Sequence, residues 1–216
     1  MLLLFDTSQL LVHGNEMIGM ASQSASLSQS GSSINTIGQD LLIGANGGTG
    51  VYTLNGGTFT VGGRGYIGLS GGEGSFVQSG GSSDVQGHLG IGTGGTGTYA
   101  LSGDSSQLVV SDYLTLGYAG GSGTFAHSGG INTVNGLTVG GQNSAGTYEL
   151  SGESSLLISN NYTTIGYLGG TGSFMQTGGT NAANNGLTVG GQNANGTYSL
   201  SGDTSQLIVY SFETIG

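Results

Sequence analysis

Residues 97–140 read GTYALSGDSSQLVVSDYLTLGYAGGSGTFAHSGGINTVNGLTVG, two successive versions of one pattern. Each version opens on Gly-Thr-aromatic, at Tyr99 and Phe125, and closes on Leu-Thr-aliphatic-Gly, at Gly117 and Gly140. Working outward, the closing glycine recurs along the chain as Gly19, Gly44, Gly68, Gly92, Gly117, Gly140, Gly166, Gly190 and Gly216, each after an aliphatic residue. The intervals run from 23 to 26 residues. A period of this length marks a solenoid or array of one supersecondary unit, in which each unit touches only its neighbours.

The opening aromatic recurs at Tyr52, Phe76, Tyr99, Phe125, Tyr148, Phe174 and Tyr198, with Leu27 at the matching place. Between opening and close lies a variable stretch such as Leu108-Val109-Val110 or Leu207-Ile208-Val209. Alternation of β-branched and aromatic residues with polar ones, bounded by glycine, reads as strand, and no segment reads as helix. Three short strands in about 24 residues predict one coil of a parallel β-helix, stacked about 4.8 Å from the next. The expected fold is all-β: a single right-handed parallel β-helix (solenoid) over residues 1–216, of about nine coils and roughly 40 Å long, its hand taken from the crossover rule. Leu137 and Val139 should point inward and Thr138 outward.

A two-coil alternation overlies this period. Odd coils carry Tyr-x-Leu-Ser-Gly-acid, as at Tyr99 to Asp104, Tyr148 to Glu153 and Tyr198 to Asp203. Even coils carry Phe-x-Gln/His-Ser/Thr-Gly-Gly, as at Phe76 to Gly81, Phe125 to Gly130 and Phe174 to Gly179. The longer odd coils predict protruding loops at Ser102–Ser106 and Ser151–Ser155. The glutamine file and the aromatic file predict amide ladders and ring stacks that add to an in-register strand stack.

Composition narrows the function. The chain has 49 glycines and no proline, cysteine or tryptophan, and its period argues for order where aperiodic glycine-rich sequence would be disordered. Arg64 is the only strong cation against 11 acids, for a net charge of -10. Nothing here neutralises phosphates, so nucleic acid is excluded as a partner, an anionic membrane surface is disfavoured, and the acids favour solubility. Absence of cysteine removes disulfide and thiolate chemistry. No apolar run approaches the roughly 20 residues of a membrane helix, so no membrane insertion is expected. Met1 to Phe5 is apolar but lacks a cationic lead and is interrupted by Asp6, so it does not read as a signal peptide.

Asp6 to Gly19 (DTSQLLVHGNEMIG) aligns without a gap on Asp203 to Gly216 (DTSQLIVYSFETIG), and neither end shows an evident cap. Solenoids need capped ends because a bare terminal coil is an unpaired template. The expectation is a segment of a longer array, or subunits that stack head to tail as a homopolymer.

The motifs Gly-Thr-Tyr-x-Leu-Ser-Gly, Gly-Ser-Phe-x-Gln-Ser/Thr-Gly-Gly and Leu-Thr-Val-Gly-Gly resemble the Gly/Ser/Thr-rich repeats of bacterial surface-exported proteins, the autotransporter-like passengers and filamentous adhesins. The resemblance covers nearly the whole chain, least over residues 1–50. It implies a right-handed β-helix at the cell surface or in the extracellular or biofilm matrix, serving as fibre, stalk or adhesin. No translocator domain or sorting signal typical of that family is seen, and no site residues carry over.

Candidate sites are few. Asp6, Asp104, Glu153 and Asp203 share one repeat position and are the candidates for a metal, against a bland reading as solvated turn acids. Calcium needs several converging oxygens, which one carboxylate every second coil does not supply. His13, His88 and His127 fall at different repeat positions, His127 in the place of Gln29, Gln78 and Gln176. No nucleophile–base–orienter set is visible; Asp112 with Glu153, or Asp84 with Asp104, would approach only by chance, so no enzyme activity and no cofactor are expected. Thr115, Thr138, Thr164, Thr188 and Thr214 form an outward file, but ice binding normally wants two adjacent ranks, and threonine is common on half-exposed strands.

The leading expectation is therefore a structural subunit of an extracellular bacterial fibre or stalk, partnered with itself. The alternative is an adhesin or glycan-binding passenger that contacts surface glycans through the odd-coil loops, favoured if Tyr113, Tyr118, Tyr162 and Tyr167 line one lateral surface. A polysaccharide-degrading enzyme and an ice-binding protein rank below both.

Overall fold

The computed structural model describes residues 1–216, with strands, turns and bends but no helix. The chain is a parallel β-solenoid of nine coils, each presenting three faces. The first face runs from Leu2–Leu4 to Asn195–Leu200 and carries the aromatic file. The second runs from Gln9–Val12 to Gln206–Val209, and the third from Glu16–Met20 to Glu213–Ile215. Thr49–Val61, Glu73–Val85, Gln107–Tyr118 and Ile131–Val139 each continue round a corner, so 23 strands fill the three faces of all nine coils. Every strand pairing is parallel and in the register the repeats dictate, for example Tyr99 with Phe76 below and Phe125 above. The one exception is an isolated antiparallel bridge, Leu69 to Gly94.

Two glycines explain why each coil closes where it does. Gly92 ends the third face of the fourth coil at φ +73°, and a Cβ there would stand 1.9 Å from the backbone oxygen of Ser122, where the sixth coil begins. Gly97 opens the first face of the fifth coil, and its Cβ would stand 2.1 Å from the Ile67 oxygen, where the third coil ends. The two corners interlock through bare backbone, which only glycine permits.

Inside runs one cluster of 33 buried residues. Its spine is the stack Tyr52–Phe76–Tyr99–Phe125–Tyr148–Phe174–Tyr198, with centroids 4.6–4.9 Å apart and planes within 7° of parallel. Coil spacing sets that distance, so each ring rests face to face on the next. Leu137 and Val139 are buried and Thr138 is half-exposed, as the alternation requires. The odd-coil turns do protrude: Gly103 to Ser105 and Gly152 to Ser154 are exposed. Ser106 Oγ and Ser155 Oγ close them from beneath by donating to the Ser102 and Ser151 carbonyls.

The glutamine file is not an amide ladder. Register puts Leu54, Leu101 and Leu150 between its members, so no two amides meet. Instead each buried amide joins two coils. Gln78 Nε2 donates to the Gly81 and Gln107 carbonyls at 3.0 Å, while its Oε1 accepts from Tyr99 in the next coil at 2.6 Å. Gln29 serves Tyr52 and Gln176 serves Tyr198 in the same way. Asparagines complete the pattern, since Asn35, Asn132 and Asn181 donate Nδ2 to the hydroxyls of Tyr52, Tyr148 and Tyr198. The Tyr/Phe and Leu/Gln alternations are thus one device, because a hydroxyl on one coil needs an acceptor on the coil before it.

Candidate functional site

His127 takes the glutamine position by matching its hydrogen-bond pattern. Its Nε2 lies 3.0 Å from the Gly130 carbonyl, which can only accept, so the proton sits on Nε2. Nδ1, 3.0 Å from the Tyr148 hydroxyl, then accepts, as glutamine Oε1 does in its own coil. Burial holds the imidazole down to about 4, against the opposing pull of the Gly130 and Gly129 carbonyls. Depressed below its ordinary value, this group contributes stability that is whole above about pH 6.5 and lost as pH falls through about 4. Between those limits the chain should lose about 3 kcal/mol that a His127→Gln variant keeps. Urea midpoints of both proteins at pH 7 and pH 4 check this; an equal acid loss in the two contradicts it.

Glu16, not singled out by the repeat, is the one buried acid. It points inward on the third face where the next coil has Leu41, and it accepts from Asn35 Nδ2 at 2.9 Å. Burial raises its carboxyl above the usual range, opposed by that hydrogen bond. Glu213 occupies the equivalent position in the ninth coil. The signal was present in the aligned ends, where both acids stand.

Asp6, Asp104, Glu153 and Asp203 are all exposed at turns between the first and second faces. Asp6 lies four coils from Asp104, because the third coil places Asn55-Gly56 there, so the file is broken. No group of three or more His, Asp or Glu converges. Asp104 Oδ1 accepts from Ser154 Oγ at 2.6 Å, which ties one odd-coil loop to the next. Asp84 sits on the second face with Gln86 bonded to it, away from the loop of Asp104. Asp112 and Glu153 stand at different corners.

The third face gathers the remaining polar and aromatic groups. Its outward file is in register from Met17 through Leu42, Tyr66 and Gly90 to the five threonines. Thr115 is buried under His88, whose Nε2 lies 2.9 Å from its Oγ1. Two adjacent outward ranks, which the third face lacks, exist on the first face, as Thr96 and Thr98 or Ser122 and Thr124. Glu73, Val51 and Ala145 interrupt them.

Tyrosines mark both edges of the third face in the fifth and seventh coils. Tyr113 stands at its entry, in register with Gly136, and Tyr162 takes the same place two coils on, where its carbonyl accepts from Leu137 N. Phe212 follows in the ninth coil. Tyr118 and Tyr167 stand at its exit, each directly after the punctuating glycine. The four tyrosines singled out in the sequence therefore stand as two pairs, at opposite edges of the third face. Two of these rings lie against glycines of neighbouring even coils: a Cβ on Gly136 would stand 2.4 Å from Tyr113 Cε1, and one on Gly186 would stand 2.6 Å from Phe212 Cζ. Asn160 and Asn161 sit beside Tyr162 and accept from Asn184 and Asn185 at 3.1 and 2.9 Å.

No family model matches the chain, and no curated protein or solved structure matches it either. Fold and register define its class, a parallel β-solenoid repeat protein.

Proposed function

We propose that this chain is a structural segment of an extracellular fibre or stalk of a bacterial surface, built to hold distance rather than to carry out chemistry. The observation that carries this reading is the parallel stack of nine coils around one core, in a chain with 154 backbone hydrogen bonds. Such a stack resists unfolding along its whole length. With one Arg and no Lys, it also offers trypsin-like proteases almost nothing to cut. Both properties suit an object exposed outside a cell, and the repeat resemblance points to the same place.

Coils are expected to continue across both ends, through further repeats or a second copy. Leu2, Leu3, Leu200 and Ile215 are exposed on the terminal coils, and the strand edges there are open templates. A head-to-tail junction in register sets Leu10 on Leu207 and Val12 on Val209, but also Glu16 on Glu213. Like charges at strand spacing oppose growth at neutral pH, so assembly should be favoured as pH falls into the carboxylate range. Negative-stain microscopy of purified chain at pH 7 and pH 5 tests this. Filaments far longer than one subunit's roughly 40 Å, more abundant at pH 5, are expected. Only single short rods at both pH values would contradict self-assembly.

A further inference from the structure

We propose that the second face pairs with the second face of another copy of this chain, the two rods lying side by side and antiparallel. This concerns the flank of the rod rather than its ends, goes beyond the fibre reading and does not depend on it. The first observation is where the charge lies. Two outward ranks run the length of the second face, one from Gln9 to Gln206 and one from Leu11 to Ile208. Of the 11 acids, only Asp84 stands in either rank. Copies that each carry a net charge of -10 repel one another, and this flank lets them approach with a single acid apiece.

The second observation is what fills the ranks. Leu11, Val109 and Ile34 are 61%, 39% and 37% exposed, and Ile131, Leu156, Ile158 and Ile208 are half-exposed beside them. Ala182 stands between Ile158 and Ile208 and leaves a shallow hollow in the second rank. Strands with aliphatic side chains on both faces bury the outer one against a second sheet about 10 Å away. Rotation per repeat is small in a solenoid, so two such faces can stay together along their whole length. A face about 40 Å long and four residues, about 13 Å, wide then covers about 1,000 Å² over both partners. That just reaches what a specific interface needs, whereas an overlap of the last five coils alone would fall well short.

Side-chain size selects the direction. Parallel rods would set each coil against its own copy, placing Asp84 on Asp84, Ile158 on Ile158 and the hollow at Ala182 on itself. Charge would meet charge, bulk would meet bulk and a gap would meet a gap. Antiparallel rods share a two-fold axis at Val109 in the fifth coil and set the first coil against the ninth, the third against the seventh and the fourth against the sixth. Leu156 then meets Thr58, Ile158 meets Thr60 and Ile131 meets Ser82, so large side chains fall against smaller ones, as facing sheets require. Asp84 meets the Thr133 hydroxyl instead of a second carboxylate.

Sedimentation equilibrium and cross-linking test the proposal. The chain should pass from one copy to two between micromolar and millimolar concentration. Salt should strengthen the pair, because Asp104 with its own copy, and Asp6 with Asp203, come to a common rim. The chain has no cysteine, so introduced thiols report position alone. A short bismaleimide should join two copies of Val109→Cys, which a head-to-tail contact would hold a rod's length apart. It should also join copies of Thr60→Cys/Ile158→Cys, but not of either single variant, whose thiols lie four coils, about 19 Å, apart in the pair. Ile158→Glu should raise the concentration of half-pairing at least tenfold with an unchanged β-sheet circular dichroism spectrum. Should that variant fold poorly, Leu11→Glu, on an exposed side chain of the first coil, should raise it several-fold. Single chains at every concentration, pairing undiminished in a folded variant, or cross-linking of Thr60→Cys by itself would overturn the proposal. Filament formation at pH 5 should be the same in Ile158→Glu as in the parent, so a failure here leaves the fibre reading to its own test.

Discussion

Gly92→Ala is expected to abolish stable folding of the central coils. Alanine at φ +73° costs about 1–2 kcal/mol by itself. The larger effect is steric, because its Cβ would stand 1.9 Å from the Ser122 oxygen and 2.3 Å from the Ser122 carbonyl carbon. Those atoms belong to a strand paired on both sides, to Thr96 and to Ala145, so they cannot retreat without breaking ladders. The combined loss should exceed about 4 kcal/mol, among the largest that single substitutions produce. Gly71→Ala is the control. Gly71 has φ +76° but open space around it, so only the backbone term should appear. Urea midpoints of the two variants separate conformational strain from coil-to-coil contact; equal midpoints would contradict the interlocked corner.

Phe125→Ala should cost about 3–5 kcal/mol, the range for emptying a large aromatic from a packed core. Phe125 is fully buried, with Tyr99 and Tyr148 each 4.9 Å away by ring centroid. Its removal interrupts the spine, and in a solenoid each unit is held only by its neighbours. Loss should therefore spread to flanking coils, seen as faster amide exchange over the fourth to eighth coils than at the same positions in the parent. Phe125→Leu should cost much less, since Leu27 already fills this position in the second coil. Exchange that stays unchanged in Phe125→Ala would show that the stack is not what couples the coils.

How much of this was legible in the sequence depends on the kind of fact. Glycine spacing and the alternation within Leu137-Thr138-Val139 decided period, strand faces and register, because both follow from local chain geometry. The odd-coil loops followed from simple length. What could not be read was anything set by the partner coil. Gln78 reads as one rung of an amide ladder until register shows Leu101 above it and a Tyr99 hydroxyl within reach. His127 reads as a stray variant until its two nitrogens prove to reproduce the glutamine's donor and acceptor. Tyr113 and Tyr162 were legible as a set, but the seating of Tyr113 on Gly136 was not, because that pairing lies about two dozen residues away. Glu16 was missed because its repeat position carries leucine in the second, fourth, fifth, sixth and eighth coils.

Oriented X-ray fibre diffraction from concentrated, aligned rods bears most directly on the claim that coils lie flat upon one another along a growing axis. A sharp meridional reflection at about 4.8 Å, with a weaker one near 9.6 Å from the Tyr/Phe coil alternation, is the predicted pattern. A 4.8 Å reflection on the equator, or none, would mean that the strands do not stack along the fibre and that the chain is not the rod described.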